Sequence, residues 1–134
     1  MITVDTNIIG YLYIDGPYTP KVEQALEKDS EWIAPFLWRS ELMNVLAIHI
    51  RQNMITLEEA NIIIDKATSL MSGKEYEASS SQVLALAKQS QCSSYDCEFV
   101  ALAEAMNVPL VTMDKQIVKK FPDTAISLID FVGD

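Results

Sequence analysis

The sequence predicts an α/β fold organised around a parallel sheet. Short apolar runs alternate with segments of helical periodicity along the chain, which is typical of parallel strands joined by helices. With 134 residues, 49% of them hydrophobic, the chain has the size of one domain and can bury a core without a stabilising disulfide or metal. No apolar run reaches the roughly 18–20 residues of a membrane span. We therefore expect a single α/β domain over residues 1–134.

Capping side chains and prolines delimit the predicted elements in the first half of the chain. Asp5 follows an apolar run and can cap a helix, Pro20 suits the first turn of another, and Thr56 opens the pattern of a capping box. Pro35 stops the second apolar run. The elements predicted in order are a strand over 2–4, a helix from about residue 8, a helix over 20–28, a strand over 32–34, a helix over 36–52 and a helix over 56–71.

Serines and a glycine delimit the elements of the second half. Ser72 and Gly73 end the preceding helix, and serines stand before each of the next two helices. An apolar, β-branched run then ends at Asp114 and indicates a strand. The elements predicted in order are a weak strand near residue 76, a helix from about 79, a helix over 95–106, a strand over 109–113, a helix around 116–120 and a strand over 125–129.

The charge balance and the cysteines limit the class of protein. Ten Lys and Arg against nineteen Asp and Glu give a net charge of −9, which argues against a protein that wraps nucleic acid by bulk positive potential. An enzyme that holds nucleic acid through a metal is not excluded, because the acids of its site add to the negative count. Cys92 and Cys97 are too few for a disulfide scaffold or a structural zinc site. We expect reduced thiols in a cytoplasmic protein.

Two acidic residues directly follow predicted strands. Asp5 ends the first strand and Asp114 ends the fourth, and ligands of open parallel sheets bind at the carboxyl ends of the strands. Each acid alone can be explained as the cap of the following helix. Their presence after two different strands favours a shared site.

Two further acids lie on apolar helical faces, where an uncompensated charge is costly. Asp96 stands near a helix N-terminus, where the helix dipole favours an anion, so a purely structural role is an alternative. Glu41 could be a surface residue or pair with Arg39 or Arg51, although neither arginine has the spacing of a helical ion pair.

The helix predicted over 36–52 is apolar on most sides and is expected to be buried in the core or against a partner. At about 100° per residue, Glu41 shares a face with Leu37, Trp38, Val45 and Ile48, and this face includes the stripe of Leu37, Val45 and Ile48. If Glu41 points toward the strand ends, we expect this stripe to pack against the sheet.

If the four acids converge, their charges repel each other and raise the pKa of each carboxyl. A divalent cation with oxygen ligands removes that penalty, and Mg²⁺ or Mn²⁺ suits a site built of carboxylates and water. Such an ion can activate water and stabilise the charge that develops on a phosphate. The acids therefore favour metal-dependent hydrolysis of a phosphodiester bond.

Four segments resemble, in order and spacing, the four motifs of the PIN-domain ribonucleases. They are Val-Asp-Thr-Asn at 4–7, Arg-Ser-Glu-Leu-Met-Asn-Val at 39–45, Tyr-Asp at 95–96 with Ala-Leu-Ala-Glu at 101–104, and Leu-Val-Thr-Met-Asp at 110–114. Within that family, the small size is similar to the VapC toxins of toxin–antitoxin pairs. The resemblance implies a PIN-like three-layer α/β/α sandwich with a central, mainly parallel sheet of four to five short strands.

The same resemblance implies a ribonuclease that depends on Mg²⁺ or Mn²⁺ and hydrolyses phosphodiester bonds of RNA. The residues it implies are Asp5, Glu41, Asp96 and Asp114 as catalytic metal ligands, with Asn7 and Thr112 organising the acids. It further implies a homodimer and an antitoxin protein that blocks the site.

Two residues near the acids are left out of the predicted site. Glu98 is rotated about 200° from Asp96 around their helix. His49 is rotated about 80° from Glu41, and since no Ser or Cys nucleophile is indicated beside it, we do not predict a catalytic role.

Lysines and aromatic residues carry weaker predictions. Lys115 and Lys119 follow the fourth strand and are candidate contacts to RNA phosphates, with a solvated helix face as an equal alternative. Trp32 and Trp38 are expected in the core, whereas Tyr95 could either pack or stack on a base.

Two functions of other classes remain as alternatives. A phosphatase with an aspartyl nucleophile would also place Asp5 after the first strand, but it normally needs a second acid two residues later, where this chain has Asn7. A silent PIN-like module would only bind a partner protein, and its four acids would repel each other without benefit. A titration with Mg²⁺ or Mn²⁺ separates this module from an enzyme.

Overall fold

The structure is a computed structural model that describes residues 1–133, with five strands and eight helices in this range. None of these helices is long and apolar enough to cross a membrane. In chain order, the elements are β1 (Ile2–Val4), α1 (Thr6–Tyr13), α2 (Thr19–Lys28), β2 (Trp32–Pro35), α3 (Trp38–Arg51), α4 (Leu57–Met71), β3 (Glu75–Tyr76), α5 (Ser80–Ser90), α6 (Ser94–Met106), β4 (Leu110–Thr112), α7 (Lys115–Lys120), β5 (Ala125–Ser127) and α8 (Leu128–Val132).

The five strands form one parallel sheet in the order β3-β2-β1-β4-β5. β1 is central, and its Thr3 is in register with Ile33 of β2 on one side and Leu110 of β4 on the other. Every residue of β1, β2 and β4 is buried, as expected for strands that are covered on both faces. The predicted α/β class and parallel sheet are therefore confirmed.

The order of the strands divides the helices into two layers. The chain first moves from β1 to β2 and β3 on one side, then returns past β1 to β4 and β5. Because such connections are right-handed, opposite directions place helices on opposite faces. Helix α1 accordingly packs on α2, α3 and α4, and α8 packs on α2, whereas α5 packs on α6. The direction reverses between β1 and β4, which is where open sheets bind ligands.

Both tryptophans lie in the core, as predicted, with their indole N–H groups hydrogen-bonded. Trp32 Nε1 donates to the backbone oxygen of Asp29 at 2.8 Å, and Trp38 Nε1 donates to Glu75 Oε2 at 2.8 Å. Arg39 also binds the Glu75 carboxylate, through Nε at 2.6 Å and Nη2 at 2.7 Å. These bonds attach the short edge strand β3 to the start of α3.

The predicted strand over 125–129 is wrong in its last two residues, because β5 ends at Ser127 and α8 follows at once. The Ser127 hydroxyl accepts a hydrogen bond from the backbone N–H of Asp130 at 3.1 Å and caps the helix. A short apolar run fits a strand or a helix equally well. The serine followed three residues later by an acid was the signal for a helix.

The predicted packing face of α3 is also wrong. Its buried residues are Trp38, Leu42 and Leu46, whereas Ile48 of the expected stripe is 41% exposed. The reason is that α3 packs mainly against α1 and α4 instead of directly against the sheet. The buried face is thus centred about 100° around the helix from Glu41, which is itself half-buried.

Candidate active site

Asp5 lies at the carboxyl end of β1 and caps α1. Its Oδ1 accepts a hydrogen bond from the backbone N–H of Thr6 at 2.7 Å. Its Oδ2 accepts from the Thr112 hydroxyl at 2.7 Å and from Asn7 Nδ2 at 3.4 Å. Only 8% of the residue is exposed. The carboxylate is therefore held in one orientation by groups from two neighbouring strand ends.

Asn7 and Thr112 join the loop after β1 to the loop after β4. Thr112 Oγ1, besides donating to Asp5, accepts from the backbone N–H of Asp114 at 2.9 Å. Asn7 Oδ1 accepts from the backbone N–H of Met113 at 3.2 Å. The structure thus places both residues, singled out in the sequence as organisers of the acids, in contact with the two strand ends.

Glu41 reaches the same edge of the sheet from the first turn of α3. Its Oε1 accepts a hydrogen bond from the Thr6 hydroxyl at 2.6 Å, and Thr6 is the neighbour of Asp5 in the chain. The alternative partner Arg39 is bound to Glu75. Thr6 therefore links the acid of α3 to the acid of β1.

Asp96 and Asp114 approach from the starts of α6 and α7. Asp96 is in the first turn of α6, where its backbone N–H donates to the capping Ser93 hydroxyl at 3.1 Å. Asp114 Oδ1 caps α7 by accepting from the backbone N–H groups of Gln116 and Ile117 at 2.8 and 3.3 Å. Asp114 is thus a helix cap, and within residues 1–133 its second oxygen, Oδ2, accepts no hydrogen bond.

The four acids line one cavity of about 340 Å³. This volume lies at the lower end of the range for ligand sites, which begins at roughly 300 Å³. The residues around it are Asp5, Thr6, Asn7, Gly10, Tyr11, Ile14, Glu41, Leu42, Val45, His49, Asp96 and Asp114.

Burial and mutual repulsion raise the pKa of three of these acids. Burial raises the pKa of Asp5 from 3.8 to about 6, and the charges of Glu41 and Asp96 add to this rise. Burial and the charge of Asp96 also raise the pKa of Glu41. Burial and the charge of Asp114 raise the pKa of Asp96. The charged form of the cluster is therefore unfavourable in the protein alone.

A cation would remove this penalty, and the donors suit a hard divalent ion. No ion pair among residues 1–133 includes any of the four acids. In the same range, no three His, Cys, Asp or Glu side chains are already gathered into a group that could hold a metal. The set of carboxylate oxygens fits Mg²⁺ or Mn²⁺, which keep several water ligands and bind few protein groups directly.

The structure also brings residues to the cavity for which the sequence predicted no role in the site. His49, Tyr11 and Ile14 line the cavity beside the acids, at positions that follow from how α1 and α3 pack. Glu98 lies outside this cavity, but the charge of Glu41 adds to the effect of burial in raising its pKa. A fifth acid, Glu98, therefore interacts electrostatically with the four predicted acids through Glu41.

The other candidate contacts lie outside the cavity. Lys115 and Lys119 are exposed on α7, which begins directly after the strand-end acid Asp114. Tyr95 is 60% exposed beside Asp96, so it is not a core residue.

Comparison with known proteins identifies the family. The model of the PIN domain family matches residues 2–122. The chain belongs to the PIN domain family. This membership confirms the resemblance carried by the four sequence motifs, and the fold agrees with it in the parallel sheet covered by helices on both faces.

Among individual proteins, this PIN domain chain is 27% identical over 124 residues to Ribonuclease VapC3 of Pyrobaculum aerophilum, covering 90% of this chain and 95% of that protein. The crystal structure of PAE2754 from the same organism is similar with a TM-score of 0.78 and 20% identity, covering 98% of this chain and 92% of that one. The crystal structure of FitAcB from Neisseria gonorrhoeae is similar with a TM-score of 0.71 and 16% identity, covering 96% and 98%. These two structures show the shared fold.

Proposed function

We propose that this PIN domain protein is a metal-dependent endoribonuclease of the VapC type that hydrolyses phosphodiester bonds of RNA. The observation that carries the proposal is the cavity lined by Asp5, Glu41, Asp96 and Asp114. Burial and repulsion raise the pKa of three of these acids, and a cation would offset that cost. The match to a protein named Ribonuclease VapC3 supports RNA as the substrate.

The four acids would hold Mg²⁺ or Mn²⁺. When bound, such an ion supplies an activated water and stabilises the charge of the phosphate in the transition state. The protein's own part is to hold Asp5 and one oxygen of Glu41 in place beforehand. Thr112 and Thr6 hold both oxygens of Asp5, and the Thr6 hydroxyl holds one oxygen of Glu41. Binding of the ion would draw the acids together, since among residues 1–133 no three of them are already gathered into a group that could hold a metal.

We infer that the surface next to the acids positions the RNA substrate. Lys115 and Lys119 are exposed on α7 beside Asp114, and we infer that they contact phosphates of the RNA. Contacts of this type position a strand without reading its sequence. The net charge of −9 leaves local lysines and the bound ion as the attractive groups for a polyanion.

We further propose that the protein is a toxin with an antitoxin partner and that it forms a homodimer. A net charge of −9 favours association with a basic segment of the partner. Around the turn between α3 and α4, Ile48, Met54, Leu57 and Ile62 are 41–64% exposed. Exposed apolar residues that lie close in the chain are candidates for protein–protein contacts.

The test is cleavage of RNA by the purified protein with Mn²⁺, with and without EDTA. We expect cleavage with Mn²⁺, no cleavage with EDTA, and no cleavage by Asp5→Asn. The matched control is Asp123→Asn, the same change at an exposed acid outside the cavity, and this variant should cleave normally. Turnover of Asp5→Asn close to that of the wild type would refute the mechanism. Failure to bind Mn²⁺ at all would instead favour a silent module that only binds a partner.

A further inference from the structure

The cavity that contains the acids is also lined by residues that lie about one to two and a half turns further along α1 and α3 than Asp5 and Glu41. These residues, which we call the base pocket, are Gly10, Tyr11, Ile14, Val45 and His49. It is continuous with the acids, since all of these residues line the same space of about 340 Å³. A group bound in the base pocket would therefore lie next to a phosphate held at the acids.

His49 lines the cavity, and one of its two ring nitrogens is engaged with the backbone. Its Nδ1 lies 2.8 Å from the backbone oxygen of Val45. Because a carbonyl oxygen only accepts, Nδ1 must carry the proton, and in the neutral ring Nε2 is then an acceptor. Within residues 1–133, Nε2 makes no hydrogen bond. The neutral ring of this lining residue is thus held by the Nδ1 bond and keeps Nε2 as an acceptor.

The base pocket has aromatic and aliphatic walls. Tyr11 packs edge-on against Tyr18, with ring centroids 5.3 Å apart and planes inclined by 61°. The backbone oxygen of Tyr11 also accepts from the Thr19 hydroxyl at 2.7 Å, so its position is fixed. A Cβ at Gly10 would lie 3.7 Å from Leu42 Cδ1 and 4.0 Å from Ile14 Cδ1, so the missing side chain leaves this wall open. Aromatic and aliphatic walls of this kind bind the faces of unstacked RNA bases.

We propose that the base pocket binds the nucleobase next to the scissile phosphate and that His49 makes it prefer cytosine over uracil. The inference rests on the proposed ribonuclease function and names a specificity-determining residue for it. The two bases have nearly the same shape, but cytosine presents an N4 amine donor where uracil presents the O4 acceptor. An acceptor at Nε2 bonds the amine and repels the carbonyl oxygen.

The first test is cleavage of a random-sequence RNA pool with Mn²⁺, in which sequencing of the products gives the base frequencies on both sides of each cut. We expect cytosine to exceed uracil roughly fivefold on one side, the factor for one hydrogen bond. His49→Phe keeps an aromatic ring but removes the acceptor, and it should abolish the preference. Ile129→Phe places the same residue at an exposed position of α8, and it should retain the preference. Equal frequencies in the wild type, or an unchanged preference in His49→Phe, would overturn the proposal.

The second test needs no cleavage and separates the pocket from the enzyme activity. In EDTA, cytidine and uridine are titrated into isotope-labelled wild type while the ring resonances of His49 are followed by NMR. Cytidine should shift them at concentrations several-fold lower than uridine. Equal shifts, or none, would overturn the base pocket. If the wild type cleaves no RNA, the ribonuclease proposal fails, and this titration still decides whether the pocket selects cytidine.

Discussion

At the scale of single residues, Asp5 combines a structural and a chemical role. Its carboxylate accepts hydrogen bonds from Thr6, Asn7 and Thr112, yet burial still raises its pKa to about 6. Hydrogen bonds to the charged form favour it, whereas burial and neighbouring acids disfavour it. Here the second effect prevails, so the residue is held in place without being fully stabilised as an anion.

This balance predicts how stability without metal depends on pH. The folded protein holds the Asp5 proton more tightly than the unfolded chain, whose pKa is 3.8. Stability is therefore lost as pH rises from about 4 through 6, by about 3 kcal/mol for a shift of roughly 2 units. The Asp5→Asn variant has no carboxyl group at this position, so its stability lacks this dependence on pH. Urea unfolding in EDTA should show the variant gaining about 3 kcal/mol relative to the wild type between pH 4 and 7. A difference in unfolding free energy between Asp5→Asn and the wild type that is equal at pH 4 and pH 7 would contradict the prediction.

Two buried threonines on neighbouring strands provide a matched comparison. Thr3 and Thr112 are both fully buried, but Thr3 Oγ1 has no hydrogen-bond partner in residues 1–133, whereas Thr112 Oγ1 bonds both Asp5 and Asp114. Valine has nearly the same shape. Thr3→Val should raise the free energy of unfolding by about 1 kcal/mol, because it removes an unsatisfied polar group. Thr112→Val should lower it by about 1–3 kcal/mol. Chemical denaturation of both variants checks this, and changes of equal sign would contradict it.

At the scale of elements, the strand ends could be predicted from the sequence better than the helix faces. Asp5 and Asp114 follow short apolar runs, and the parallel sheet alone brings two such ends together. The buried face of α3 depends on contacts with α1 and α4, which no pattern within α3 encodes. The positions of His49 and Tyr11 in the cavity depend on the same packing, so the sequence could not place them there.

The hydrogen bond between Thr6 and Glu41 joins α1 to α3 and allows the charge of Glu41 to be tested separately from its position. Glu41→Gln keeps volume, helix propensity and an oxygen that can accept from Thr6, but it removes the charge. We expect Mn²⁺ affinity to fall about tenfold or more, and activity to fall further at limiting Mg²⁺ than at saturating Mn²⁺. Thr6→Val keeps the charge and removes the bond, so its Mn²⁺ affinity should fall less. Calorimetric titration measures the Mn²⁺ affinities, and initial rates measure the activities. Unchanged Mn²⁺ affinity in Glu41→Gln would exclude Glu41 as a metal ligand.

At the scale of the whole molecule, the exposed apolar residues around the turn between α3 and α4 predict self-association. Leu57 is 64% exposed there, and a charge at this position would disrupt an apolar contact. The wild type should sediment as a dimer at micromolar concentration, and Leu57→Glu as a monomer. Leu84→Glu, at a similarly exposed leucine of α5 (65%), should leave the dimer intact. A monomeric wild type would contradict the proposed homodimer.

Because the molecule has a net charge of −9, we expect only local lysines to attract RNA. This expectation predicts how RNA binding depends on salt. Each lysine that contacts a phosphate of a single strand releases counterions, which contributes about −0.7 to the slope of log affinity against log salt. If only Lys115 and Lys119 make such contacts, the slope for kcat/KM at saturating Mn²⁺ should be about −1.4. Because each lysine contributes its own counterion release, replacing either Lys115 or Lys119 by alanine should reduce the slope by about half. Lys66→Ala, at an exposed lysine of α4, should leave it unchanged. A steep slope that survives the loss of both α7 lysines would mean that RNA follows another surface, and it would remove these two residues from the substrate path.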